Sequence, residues 1–288
     1  MLVAESVRLY GRHVLWCTAF MLSACAQSPR PAAEPVLLVQ AAQAQTDGLR
    51  AFARGDHESA ARHFEQALRL QQSLDDVPAA AQTHLHLATV ALALDQPQAA
   101  LAHVQSVQAL SVLKEAGLQP RLWQLQAQAY LAMNDAVAAR RVLVQALADC
   151  PNTCAQRGSL LLLQAKLDLA GQQAAQALSN LQMALPLLQS QGQSLEVANV
   201  WRVRAGAHLA LGQHDLALSA AQSALSQDRA LALPEKIAQD WMLLGDIYQQ
   251  SAQQDSAREA FERAQSVAAA ARLVKVQTRA LERMKRLQ

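Results

Sequence analysis

An alanine returns along this chain at Ala60, Ala100, Ala139, Ala177, Ala217 and Ala257, at intervals of 40, 39, 38, 40 and 40 residues. Other positions recur in step with it. A small residue stands upstream each time, as Gly48, Ala88, Ala127, Ala165, Ala205 and Gly245. Downstream come Phe64, Val104, Leu143, Leu181, Ala221 and Phe261, then Ala67, Val107, Ala146, Ala184, Ala224 and Ala264. A large residue precedes the small one as Trp123, Leu161, Trp201 and Trp241, with Ala44 and His84 in the first two repeats. A unit recurring at this interval is one supersecondary element that cannot bury its apolar face alone, so the units must stack. Apolar residues make up 52% and aromatics only 4%, which favours helices with a sizeable core over a large sheet. Small residues at two facing positions let paired helices approach closely, and the large ones fill the space between one pair and the next.

The segment Trp241-Met242-Leu243-Leu244-Gly245-Asp246-Ile247-Tyr248, followed by Ala257, Phe261 and Ala264, resembles the tetratricopeptide repeat. That family carries W-x2-L-G-x2-Y on its first helix and A-x3-F-x2-A on its second. The resemblance implies an all-α fold, a right-handed superhelical solenoid of about six helical hairpins with a period near 40. Repeats are expected near 41–76, 81–116, 120–151, 157–190, 197–229 and 237–288, within a solenoid spanning 38–288. Turns are expected at Gly55-Asp56, Asp95-Gln96-Pro97, Asn134-Asp135, Gly171-Gln172 and Gly212-Gln213. Repeat four reads as carrying an extra residue near Gly171, and Pro186 as kinking or ending its helix. Asp255 to Gln288 reads as one long capping helix. It ends in Arg272, Lys275, Arg279, Arg283, Lys285 and Arg286 against Glu282: a solvated face, or a contact for anionic lipid or an acidic partner.

The first residues carry an address. Arg8 and Arg12 precede the nine-residue apolar run Val14 to Leu22, too short for the roughly 20 residues of a membrane span. The run ends in Leu22-Ser23-Ala24-Cys25, which resembles the bacterial lipoprotein signal. The resemblance implies removal of residues 1–24, acylation of Cys25, and a membrane anchor through the lipid. No aspartate follows Cys25, so the expected place is the periplasmic face of the outer membrane. Residues 25–37 hold three prolines and read as a flexible tether. The alternative is a buried N-terminal helix with a chance cysteine.

Cys150 and Cys154 then remain. An even pair in an oxidising compartment reads as a disulfide; a redox-active pair is the sharper alternative. The chain has no phosphate-binding glycine loop, no dinucleotide fingerprint and no nucleophile elbow. His57 and His63 are six apart, and His84 and His86 two apart, so neither pair shares a helix face. No catalytic residue, metal site or cofactor is expected, and a formal charge of +2 gives no support for nucleic-acid binding.

The concave face of the solenoid remains as the place for function. By resemblance its first-helix positions are Gln82, Gln124, Gln128, Lys166, Asn199, Arg202, Gln239 and Asp246, with Leu85, Leu162 and Met242 among them. Amides and two exposed cations on an apolar floor suit an extended peptide or acidic protein segment. The expected function is an outer-membrane-anchored periplasmic scaffold that binds other proteins for envelope or secretion-complex assembly. The alternatives are a cytosolic regulatory module with a misread N-terminus, and a periplasmic enzyme.

Overall fold

The computed structural model describes residues 35–110 and 117–287, and from Val36 onward the chain forms one compact unit. Thirteen helices and no strand occur among the described residues. They are α1 (Val36–Ala53), α2 (His57–Ser73), α3 (Val77–Ala93), α4 (Pro97–Ala109), α5 (Gln119–Ala132), α6 (Ala136–Asp149) and α7 (Arg157–Ala170), followed by α8 (Ala174–Ser190), α9 (Ser194–Ala210), α10 (His214–Ala230), α11 (Pro234–Gln250), α12 (Gln254–Ala270) and α13 (Val274–Lys285). Successive pairs make six hairpins, and α13 stands as the first helix of a seventh unit. This is the all-α superhelical solenoid expected from the recurrence. The signal reading of 1–24, Cys25 and most of the tether lie outside the described residues. Helix α1 begins at Val36, two residues ahead of the expected start.

Each hairpin closes on its small residues. A Cβ added to Gly48 would lie 2.7 Å from the Phe64 ring, and one at Gly245 would crowd the Phe261 ring more closely still. Where the second helix offers Val104, Leu143, Leu181 or Ala221 instead, the facing residue is alanine. The glycines are there because phenylalanine fills the seam. Phe64 and Phe261 are 1% and 0% exposed, and each such burial contributes about 1.5–3 kcal/mol.

The hairpin turns have three residues, with the middle one left-handed: Gly55, Asp95, Asn134, Gln172, Gly212 and Ala252. The residue after it donates its N–H to a carbonyl five residues back, as in Asp56 to Ala51 at 3.0 Å and Gln213 to His208 at 2.9 Å. These bonds satisfy carbonyls that the helix end leaves open. Asp56, Asp76 and Asp135 cap the helices that follow, each accepting from a backbone N–H three residues on.

Three local expectations are corrected. The step from small residue to alanine is 12 in every repeat, so repeat four has no extra residue and Gly171 simply opens its turn. The shorter intervals come instead from α5, α6 and α7, which have 14 residues each against 17 in most helices. Of the two outcomes expected at Pro186, ending the helix is the one overturned, since α8 runs on to Ser190. Pro186 and Gln182, whose carbonyl loses its N–H partner, are both solvent-exposed, which leaves the freed carbonyl outside the core. The C-terminal segment is two helices, not one. Arg272 takes a left-handed φ of 57°, and Leu273 N–H bonds the Ala268 carbonyl at 2.8 Å. Val276, Ala280 and Met284 of α13, with Leu287 just beyond it, then pack against Trp241, Met242 and Phe261, which closes the end of the core.

The odd-numbered helices touch one another (α3–α5, α5–α7, α7–α9, α9–α11, α11–α13) as well as their hairpin partners, whereas the even ones pack mainly on their chain neighbours. Helices lie closer together on the inside of a curve, so the odd helices form the concave wall. The winding brings Lys275 of α13 to 3.2 Å from Asp95 in the α3–α4 turn, 180 residues away.

Candidate concave binding surface

The seams between hairpins set what the concave wall can offer. Three of the seams show this as three side chains at one shared register: one from the first helix, one from the second, one from the next hairpin's first helix. Between hairpins one and two they are Gln45, Gln71 and Thr83, where Thr83 donates to Gln71 at 2.7 Å and Gln71 donates to Gln45 at 3.2 Å. Between hairpins four and five they are Leu162, Leu188 and Val200, each fully or nearly fully buried. Between hairpins five and six they are Arg202, Asp228 and Asp240. Arg202 Nε donates to Asp240 at 2.7 Å, and its Nη2 donates to Asp228. Both carboxylates are 0% exposed.

Arg202 is therefore not the exposed groove cation expected from the sequence. It is spent inside the wall, because two buried carboxylates need it. Gln124 is likewise buried, accepting from Arg121 at 3.0 Å. Asp246 faces Arg283 of α13 at 3.1 Å, and burial raises its pKa against the pull of Arg283 and Arg279. Gln82 is exposed, and Gln128 and Lys166 are partly buried on the odd helices. Asn199 donates to Glu196 at 3.2 Å, and Gln239 donates to Glu235 at 3.0 Å.

The wall encloses a hollow of about 410 Å³ lined only from odd helices: Leu169 of α7, Arg202 and Val203 of α9, Gln239, Met242, Leu243 and Asp246 of α11, Val276 and Arg279 of α13. The floor is apolar and the edge cationic. Lys166 makes no ion pair within 4 Å among the described residues. Burial lowers its pKa; Glu196 opposes this, while Lys236 and Arg202 add like charge. Burial also lowers Arg121, again opposed by Glu196. One carboxylate thus serves two cations from two other helices.

Sequence reading gives Arg121 and Lys236 no groove role, and it places Arg279 on the basic C-terminal face instead. Arg121 and Arg279 occupy the same register as Gln82, Asn199 and Gln239, six residues before the small position, so a full register table finds both. Arg279 was hidden by reading α12 and α13 as one helix. Lys236 lies a turn earlier and has no equivalent in the table.

Away from the groove, Cys150 and Cys154 bring their sulfurs into bonding contact with Cα atoms 5.4 Å apart. Arg157 holds the same loop by donating to the carbonyls of Leu147 and Cys150. The histidines pack as separate groups. His86 stacks on Phe64 with centroids 5.0 Å apart, and His84 Nδ1 meets His103 Nδ1 at 3.1 Å. Burial lowers the pKa of all three. Among the described residues no group of three His, Cys, Asp or Glu side chains could hold a metal ion, and no helix is long and apolar enough to cross a membrane.

Residues 240–270 match the tetratricopeptide repeat family model. No curated protein sequence matches the chain. Among solved structures, the APC/C hetero-tetramer Cut9–Hcn1 is similar with a TM-score of 0.68 at 14% identity, over 86% of this chain and 42% of that one. A Rap protein complexed with competence and sporulation factor is similar with a TM-score of 0.65 at 13% identity, over 86% of this chain and 71% of that one. Pseudomonas aeruginosa pilF is similar with a TM-score of 0.51 at 16% identity, over 80% and 93%. The chain thus spans less than half the length of the first of these. Identities this low establish shared fold alone. The chain is thus an all-α solenoid of helical hairpins in which residues 240–270 match the tetratricopeptide repeat.

Proposed function

We propose that this protein is a non-catalytic scaffold that docks an extended, acidic segment of another protein along its concave wall. The carrying observation is the charge on that wall. Arg121, Lys166, Lys236 and Arg279 come from four odd helices, α5, α7, α11 and α13, and Glu196 of the intervening α9 is the one carboxylate shared between the first two. Lys166 is both desolvated and crowded by like charge, so an arriving carboxylate relieves it. The apolar floor of Leu169, Met242 and Val276 fits the aliphatic side chains between acidic ones. The Rap protein that shares this fold was solved in complex with competence and sporulation factor, which supports a docking role for such a solenoid.

The test compares binding of a fluorescent acidic peptide of about ten residues with a basic one of equal length. The acidic peptide is expected to bind with salt-sensitive affinity. Lys166→Glu combined with Arg279→Glu should weaken it about tenfold or more, or roughly 1.4 kcal/mol, without altering helicity. Equal capture of both peptides, or full retention by the double variant, sinks the groove reading.

The second part of the proposal is the address. Cys25 is acylated after removal of 1–24 and tethers the scaffold to the periplasmic face of the outer membrane. Cys150 and Cys154 are oxidised there. Support comes from the Leu22-Ser23-Ala24-Cys25 sequence and from the juxtaposed sulfurs. Cys25→Ser should leave the membrane fraction, and thiol labelling without reductant should find Cys150 and Cys154 blocked. Wild-type fractionation of the serine variant overturns the anchor; full labelling of both thiols overturns the disulfide.

A further inference from the structure

Arg202 brings one positive charge to the seam between hairpins five and six, and Asp228 and Asp240 would bring two negative ones. Both carboxylates are fully buried. After Arg202 has donated to each, Asp228 Oδ1 and Asp240 Oδ2 still lack a partner. Buried acceptors without donors are costly, and an uncompensated buried charge costs more. A single proton between the two side chains cures both faults. It supplies a donor where two acceptors face each other, and it leaves one carboxylate for one guanidinium.

We propose that the Asp228–Asp240 pair is a one-proton switch in the concave wall: protonated, it locks hairpin five to hairpin six through Arg202, and deprotonated, it loosens that seam. Burial first, and then the second carboxyl beside it, push the Asp240 carboxyl up to about 7 against the pull of Arg202. The charged groups nearby leave the pair to itself. From α9, Arg202 alone reaches it. On α11, Lys236 donates to Gln239 instead, at 3.4 Å. On α13, Arg283 is held by Asp246, and on α12, Arg263 is held by Glu259 and stacks over Trp241.

The direction of the effect follows from linkage. A carboxyl that binds its proton more tightly in the folded chain than at the unfolded value of 3.8 stabilises the fold most at low pH. That stability drains as pH rises toward about 7 and is gone above it. The seam helices α9 and α11 also line the hollow through Arg202, Gln239 and Met242, so a loosened seam changes the width of the groove. The switch needs no ligand to operate, and neither does its test.

Melting temperature is measured from about pH 5.5 to about pH 8.5 for the wild type, Asp240→Asn and Asp228→Asn. Each amide keeps one donor in place at every pH. The wild type should lose several degrees more across this range than either variant. At the alkaline end the variants should melt at or above the wild type. His84, His86 and His103 titrate with the opposite sign, but they are common to all three proteins and cancel in the difference. An infrared band of a protonated buried carboxyl should be present in the wild type at about pH 5.5 and fade toward about pH 8.5; this measurement needs no variant. Parallel melting curves for wild type and variants, or no such band in the wild type, overturn the switch.

Discussion

Between hairpins four and five, Leu162, Leu188 and Val200 meet in an apolar junction. One repeat further on, the same three places hold Arg202, Asp228 and Asp240. The register is the same in the two seams, and the second- and third-position residues are buried in both; the chemistry differs, and Arg202 is 16% exposed where Leu162 is 1%. The first seam is held by dispersion and water exclusion, which are non-directional and indifferent to pH. The second is held by charge and hydrogen bonds that work only as a set. The comparison separates what the solenoid needs, a filled junction, from what one seam adds to it.

The largest expected effect is at Arg202. Arg202→Leu leaves two buried carboxyls with no cation, so each must hold a proton or stand as an uncompensated charge, and breaking a buried ionic group in this way costs about 3–5 kcal/mol. The apolar control is Leu188→Ala, which leaves a cavity and costs about 2–5 kcal/mol. The two are told apart by pH. The Arg202→Leu loss should grow steeply on the alkaline side, because the second carboxyl then ionises without a cation, whereas the Leu188→Ala loss should stay level. Chemical denaturation at two pH values checks both. Equal pH dependence breaks the comparison.

Next comes transplantation. The triple change Arg202→Leu, Asp228→Leu and Asp240→Val copies the apolar junction into the polar seam. Replacing a buried ionic triad by apolar groups of similar size is neutral or stabilising by about 1–4 kcal/mol. The triple variant should therefore melt at or above the wild type and lose the pH response attributed to the seam. A large loss of stability means that the two seams differ in backbone geometry as well as in chemistry.

The sequence makes the two seams hard to distinguish for an identifiable reason. Hairpin packing was legible because it rests on residues whose size alone matters: Gly245 against Phe261, or Ala139 and Ala257 at 0% exposure. The register that predicts these places is the same one that places Arg202. But register gives a position on a helix, and not whether a side chain turns outward into the groove or inward toward a carboxylate on another helix. Asp228 is 26 residues from Arg202 and Asp240 is 38, so no local pattern announces the triad. Lys166 makes no ion pair within 4 Å among the described residues, yet it too is partly buried rather than exposed. The break before α13 escaped notice because neither glycine nor proline marks it; Arg272 takes the left-handed turn unaided.

That turn chemistry supplies the smallest effect and extends the comparison to the loops leading into each seam. The chain crosses from α8 to α9 with Gly192 left-handed at φ 66°, and from α10 to α11 with Ala232 left-handed at φ 53°. A side chain with a Cβ in this region costs about 1–2 kcal/mol relative to glycine. Glycine gives back part of that through the extra freedom of the unfolded chain, about 0.4–1 kcal/mol. Ala232→Gly should therefore stabilise slightly, by up to about 1 kcal/mol, and Gly192→Ala should destabilise by a similar amount. Nothing lies within 4 Å of a Cβ built at Gly192, so its loss would come from backbone strain rather than a clash. Both effects should be independent of pH, since no titrating group is touched, and paired melting curves measured as for the seam variants will show it. Opposite signs of similar size assign the effect to the turns. If instead Ala232→Gly destabilises, the rigidity of that loop is part of what holds Asp228 against Asp240, and the polar seam depends on its turn in a way the apolar one does not.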